Sequence, residues 1–168
     1  MDRARNRQTG VMLIEALLGI LIFAIGILAL IAMQATAIRA AQDSRYRTEA
    51  VNYASDLLNQ MVVNINRTGS TQFTDSLAAF RHQTGGTDCA FSGSASTSAV
   101  VTGWAELVSG TPPQTNPPRL PLPGTTPTML QVLVDDSVGA FNRVTITVCW
   151  RGPDDPVARK HILVSYLT

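Results

Sequence analysis

Residues 10–33 read Gly10-Val11-Met12-Leu13-Ile14-Glu15-Ala16-Leu17-Leu18-Gly19-Ile20-Leu21-Ile22-Phe23-Ala24-Ile25-Gly26-Ile27-Leu28-Ala29-Leu30-Ile31-Ala32-Met33. The 18 residues from Ala16 to Met33 contain no charged or polar side chain. At about 1.5 Å of rise per residue, a helix of that length covers most of a ~30 Å hydrocarbon core, so the run is a membrane helix or the apolar core of a signal sequence. A secretory signal carries a small-residue cleavage site after its apolar run. Here the chain continues through Gln34-Ala35-Thr36-Ala37-Ile38 into more helical sequence, which argues for a retained helix. Glu15 is the anomaly: a carboxylate at this point costs about 2–4 kcal/mol unless it lies near the interface, is protonated or is paired. It needs a partner, or water at the headgroup level.

Arg3, Arg5 and Arg7 before the run are matched in number by Arg39, Arg45 and Arg47 after it, so charge counting does not orient the helix. A chain of 168 residues has room for this anchor and one small domain. The net charge is +1, and residues 1–10 carry three arginines and one aspartate, so without them it is −1. That balance does not describe a nucleic-acid-binding surface. Cys89 and Cys149 stand apart from any CxxC or His/Cys ligand spacing, which argues against a metal or redox motif. A single disulfide in an oxidising compartment and two buried free thiols both remain open. A bridge would close a loop of about 60 residues and contribute on the order of 3–4 kcal/mol.

Past Met33 the pattern turns amphipathic. Tyr46, Ala50, Tyr53, Ala54, Leu57, Met61 and Ile65 recur at helical spacing while Arg45, Arg47, Glu49, Asn52 and Gln60 face elsewhere, predicting one helix over residues 11–66 with Gly69 as its stop. Residues 67–97, rich in Ser, Thr and Gly, are expected to be mostly irregular, with a short helix near Thr74 to Phe80. Ser98 to Ser109 reads as a helix with Val101, Trp104, Ala105 and Val108 on one face. Seven of the nine prolines lie between Pro112 and Pro127 and predict a loop. Thr128 to Val134, Arg143 to Arg151 and Arg159 to Leu167 predict a three-stranded antiparallel meander. In its middle strand Val144, Ile146, Val148 and Trp150 share the face expected to pack on the long helix. Thr145, Thr147 and Cys149 share the other, so a bridge from Cys149 to Cys89 would clamp the connecting region across the outside of the sheet.

Little here suggests chemistry on a substrate. His82 and His161 lack a nucleophile or paired acid in any readable motif, no cofactor motif occurs, and an enzyme is not expected. Asp135-Asp136 and Asp154-Asp155 lack the alternating oxygen ligands of a calcium loop and read as turn aspartates, so no metal is expected. Asn66-Arg67-Thr68 fits a glycosylation sequon but falls where the helix should end. Tyr46, Tyr53, Trp104 and Trp150 read as core, the tyrosines facing the sheet.

Taken together, an Arg-rich leader, then Gly10-Val11-Met12-Leu13-Ile14-Glu15 and an unbroken apolar helix closely resemble the class III signal of type IV pilins and pseudopilins. The resemblance implies an α+β type IV pilin fold: a long N-terminal helix, membrane-embedded in its first half, against a small antiparallel sheet. It divides the chain into a leader (1–10), a membrane and assembly half-helix (11–34), an amphipathic half-helix (35–66) and a globular head (67–168). It implies cleavage by a prepilin peptidase between Gly10 and Val11, N-methylation of Val11, and pairing of Glu15 with the terminal amine of a neighbouring subunit. The sequence departs from most members at Val11, where Phe is usual. The leader would be cytoplasmic and the head periplasmic, with the protein in the bacterial inner membrane before joining a pilus. That compartment suits a Cys89–Cys149 disulfide. Major pilins usually carry a proline in the apolar half; here none precedes Pro112. With Ala50 to Asn64, Trp104-Ala105-Glu106-Leu107, Leu120-Pro121-Leu122-Pro123-Gly124 and Arg143 to Trp150, this is most similar to PilV-type minor pilins. Expected partners are other minor pilins, the major pilin, the inner-membrane assembly platform and a tip adhesin, in a complex that primes assembly at the filament tip. The I-type minor pseudopilin of type II secretion is similar in the same places. A third reading makes the head a module that binds a surface, DNA or an adhesin.

Overall fold

The computed structural model describes residues 9–113, 119–137 and 139–167, with Thr9 and Gly10 described by backbone alone. The leader arginines Arg3, Arg5 and Arg7, part of the proline run and Val138 in the predicted Asp135-to-Gly139 turn lie outside those residues. The chain forms two compact units, Met1–Gln42 and Asp43–Thr168.

Helix α1 (Thr9–Asn64) supplies the described part of the first unit and the first element of the second. No Pro interrupts it, and every described side chain from Val11 to Gln42 is exposed. Its stretch from Val11 to Met33, apolar except at Glu15 and exposed on every side, suits lipid or other helices.

In the second unit Ala50, Tyr53, Ala54, Leu57 and Met61 are buried, as their spacing predicts, with Tyr46 half-buried. α1 ends at Asn64, and Gly69 is not its stop. Gly69 is extended (φ −174°) and precedes the next helix. The chain turns instead at Asn66, whose Oδ1 accepts from the backbone N–H and hydroxyl of Thr68, while the Arg67 guanidinium donates to the Val62 carbonyl. Asx-turn chemistry thus does here what a left-handed glycine does elsewhere.

The connecting region is more ordered than its composition suggests. It holds α2 (Ser70–Ala79), which starts four residues before the predicted Thr74-to-Phe80 helix, and an antiparallel hairpin of β1 (Gly85–Thr87) and β2 (Ala90–Ser92). α3 (Ala99–Ser109) buries Val101, Trp104, Ala105 and Val108, the four residues its periodicity marks. Gly110 ends it in the left-handed region (φ 65°), donating to the Glu106 carbonyl.

The main sheet is the expected meander, in order β3 (Leu130–Asp135), β4 (Arg143–Trp150), β5 (Arg159–Tyr166). Pro127–Met129 forms a 3-10 turn before β3, so that strand starts two residues later than predicted. Leu130, Val132 and Val134 pair with Val148, Ile146 and Val144, and these six, with Trp150, form the inner face of one core with α1, α2 and α3. The outer face is also partly covered: Cys89, Phe91 and Cys149 form a second small core with Met129 and Ala158.

The tyrosines correct one expectation. Tyr53 is buried, but its hydroxyl donates to the Leu120 carbonyl of the proline segment (2.8 Å), and the Arg119 guanidinium sits 5.8 Å over its ring. That side of α1 faces α3 and the proline segment, where the Trp104 indole N–H donates to the Tyr53 backbone carbonyl (2.9 Å).

Candidate functional site

Two features stand out, one in each unit. In the first, Glu15 is the only charged residue between Val11 and Met33, and it is exposed on α1 among exposed apolar neighbours. Gly10 is helical in its backbone, and Val11, the first residue whose side chain is described, is exposed. Val11 and Glu15 lie four residues apart, about 6 Å along the axis. Sequence reading passed over Gly19 and Gly26. They are seven apart, on one face of the helix, and a Cβ at either would meet nothing within 4 Å. Small residues at such spacing let a second helix approach closely; the two-turn repeat was the available signal.

In the second unit Cys89 and Cys149 are bonded, with Cα atoms 5.8 Å apart, and neither remains a free thiol. The bridge ties the hairpin to the outer face of the sheet, on the side predicted from strand alternation. Asp88 and Cys89 form the hairpin turn with φ of 51° and 65°. Both central residues of a type I′ turn need such angles, which Gly and Asn supply most easily, so the bridge and the Phe91 packing hold an otherwise reluctant turn in place. Gln131 adds a second tie, donating to the Gln83 carbonyl.

The histidines are not brought together. His82 is buried where residue 82 bridges to Val132 on β3, and His161 lies on β5, at the other edge of the sheet. His82 Nδ1 accepts from the Ser96 backbone N–H (3.1 Å), so the neutral ring carries its proton on Nε2, which has no hydrogen-bond partner. Burial pushes the His82 pKa below its ordinary value, and the Pro127 carbonyl, too poorly placed for a proper hydrogen bond, opposes that shift. Burial, then the nearby Arg47 charge, lowers His161 likewise. The Ser96 hydroxyl donates to the Ala79 carbonyl and not to the imidazole, so this Ser/His contact does not activate a nucleophile.

The aspartates are structural. Asp155 takes two bonds from Arg159, which hold its carboxyl below the usual range, and accepts from the Gly152 N–H. Hydrogen bonds from the Ser137 hydroxyl and N–H do the same for Asp135, with Arg143 adding to them. Among the described residues no group of three or more His, Cys, Asp or Glu could hold a metal. Tyr53 is pushed up by burial and then by Glu49, with Arg119 opposing, so it stays a protonated donor to Leu120.

A long apolar N-terminal helix with one carboxylate, continuing as the core helix of a disulfide-tied α+β head, defines the class as pilin-like. Residues 32–101 match the family model described as Tt1218-like, type IV pilin Tt1218. That match begins beyond Glu15, so it rests on other residues than the Gly10-to-Glu15 motif. Over those residues the chain is similar to type IV pilins, and its α+β architecture with a long apolar N-terminal helix is consistent with a type IV pilin fold. No curated protein and no solved structure matches it.

Proposed function

We propose that the chain is a minor pilin of a type IV pilus, made with residues 1–10 in the cytoplasm and the head in the periplasm. In this reading the prepilin peptidase cuts after Gly10, Val11 is methylated, and the protein waits in the inner membrane to join other minor pilins in a tip complex. The observation that carries it is the all-round apolar surface of α1 from Val11 to Met33, interrupted only by Glu15. Such a surface suits lipid before assembly and neighbouring helices afterwards. A neighbour shifted axially by about one turn brings its Val11 amine level with Glu15, and two groups costly to bury separately then neutralise each other. The role is structural: the head's polar clusters serve its fold.

Deleting the gene, then counting surface pili and assaying secretion of folded proteins, tests this reading. Loss of pili with intact secretion is expected. Intact pili with lost secretion would make the chain a pseudopilin of a secretion machine.

A further inference from the structure

On the outer side of the sheet, where the second small core lies, several segments meet around a cavity of about 730 Å³. Arg151 lines it two residues after Cys149, and Lys160 lines it from the β5 position that pairs with Cys149. The end of the proline segment is fastened beside them. The Thr125 hydroxyl donates to the Cys149 carbonyl (2.9 Å), and the Arg151 N–H donates to the Pro123 carbonyl (2.9 Å). Gly124 permits that approach: its backbone is left-handed (φ 60°), and a Cβ there would fall 2.7 Å from the Arg151 carbonyl oxygen. Another wall is the hairpin turn at Asp88 and Cys89, held by the disulfide. Met129 and Ala158, packed on the second small core, add apolar lining. Small-ligand sites are cavities of roughly 300–1,000 Å³ with apolar walls and a few placed polar groups, and this cavity has both properties.

The charges that line the cavity do not cancel. Lys160 is offset by Asp88 (3.7 Å), whereas Arg151 is exposed and makes no ion pair and no side-chain hydrogen bond among the described residues. One guanidinium is left over. The Thr126 and Thr128 hydroxyls, 3.0 Å apart, bond each other, which spends one of their two protons and leaves the other for a ligand. We propose that this cavity binds a small ligand carrying a single carboxylate on an apolar body. The carboxylate takes the Arg151 fork, the apolar body lies against Met129, Ala158 and the disulfide, and the spare threonine proton serves a polar group of the ligand. A planar guanidinium meets a carboxylate through two parallel hydrogen bonds, a match that a lysine ammonium does not make. The charge balance also selects. A phosphate group carries about −1.5 to −2 at pH 7 and would meet only one free cation, whereas a carboxylate is matched by it. A free organic acid and the C-terminal carboxylate of a peptide both present this chemistry. The site lies wholly in the second unit and is independent of the pilin reading.

The test is NMR of the full chain in an uncharged detergent, read from isotope-labelled methionine methyl groups. Met129 reports on the cavity, and Met61, fully buried in the main core, is the control. The probes are benzoate, for a free acid, and acetyl-alanyl-leucine, for a peptide terminus, each compared with its amide. The expected result is a saturable shift of Met129 with at least one acid while Met61 is unmoved. The matching amide should bind about tenfold more weakly, because it forfeits a hydrogen bond between charged groups; that comparison needs no variant. Arg151→Gln should weaken the acid by the same factor and leave the amide unchanged. The pair Asp88→Asn and Lys160→Gln should change acid binding by about twofold at most, since it removes charges that already offset each other. All three replaced side chains are exposed, so the disulfide and the melting temperature should match the parent chain. Tighter binding of benzoate assigns the site to a free acid, and tighter binding of the peptide assigns it to a chain terminus. No Met129 shift with either acid, a shift that Arg151→Gln leaves intact, or displacement of the acid by equimolar inorganic phosphate overturns the inference.

Discussion

Glu15 stands alone among 22 apolar residues from Val11 to Met33, and its cost decides what the segment can do. Removing one member of a desolvated ion pair costs ~3–5 kcal/mol because the other charge is left buried, so Glu15→Ala should lower incorporation into pili about a hundredfold or more. Processing at Gly10 should be unaffected, and quantitative blotting of membrane and pilus fractions measures both. The anomaly was legible in sequence, since a charge in an apolar run is visible without a structure. His82 was not, because its partner is the backbone N–H of Ser96, which no side-chain pattern announces. Protonating Nδ1 would forfeit that bond, and burial already disfavours the cation. With the folded pKa below the ordinary 6.5, the unfolded chain takes up its proton first as pH falls. His82 and His161 therefore contribute stability that is whole above about pH 6.5 and is lost as pH drops through their folded values. Urea unfolding of the full chain in detergent should give equal midpoints at pH 7 and 8 and a lower one at pH 5.5, the acid-side drop shrinking in His82→Gln.

At the scale of elements, helices with strong periodicity were readable almost residue by residue. The buried faces of α1 and α3 are those their spacing marks, and the alternation of β4 placed Cys149 on the outer side. What escaped was local and polar. The end of α1 depends on an Asn66 side chain, and α2 buries only Leu77, too little to show as a pattern among Ser and Thr. β1 and β2 are three residues each, and their turn uses Asp88 and Cys89 where a glycine would have announced it. Replacing both Cys89 and Cys149 by Ala should lower unfolding free energy by about 3–4 kcal/mol, measured as a shift in denaturation midpoint. The hairpin amides should then exchange faster with solvent than those of β4. At Gly110 a Cβ would fall 2.9 Å from Pro121 with the backbone left-handed, so Gly110→Ala should cost about 1 kcal/mol or more. A chemical melt detects it.

Across the whole molecule, each unit suits a different setting. Residues 11–42 of α1 make no contact that buries a side chain, whereas the second unit has a continuous core and a disulfide. The pilin reading gives both a purpose: the helix serves lipid and then other helices, and the head is the folded part that helix carries. Mass spectrometry of sheared, purified surface pili tests this most directly. The account predicts a low-abundance chain whose N-terminal peptide starts at Val11 with one added methyl group. Recovery of the chain only from membranes, with residues 1–10 still attached and the pili free of it, would contradict the account.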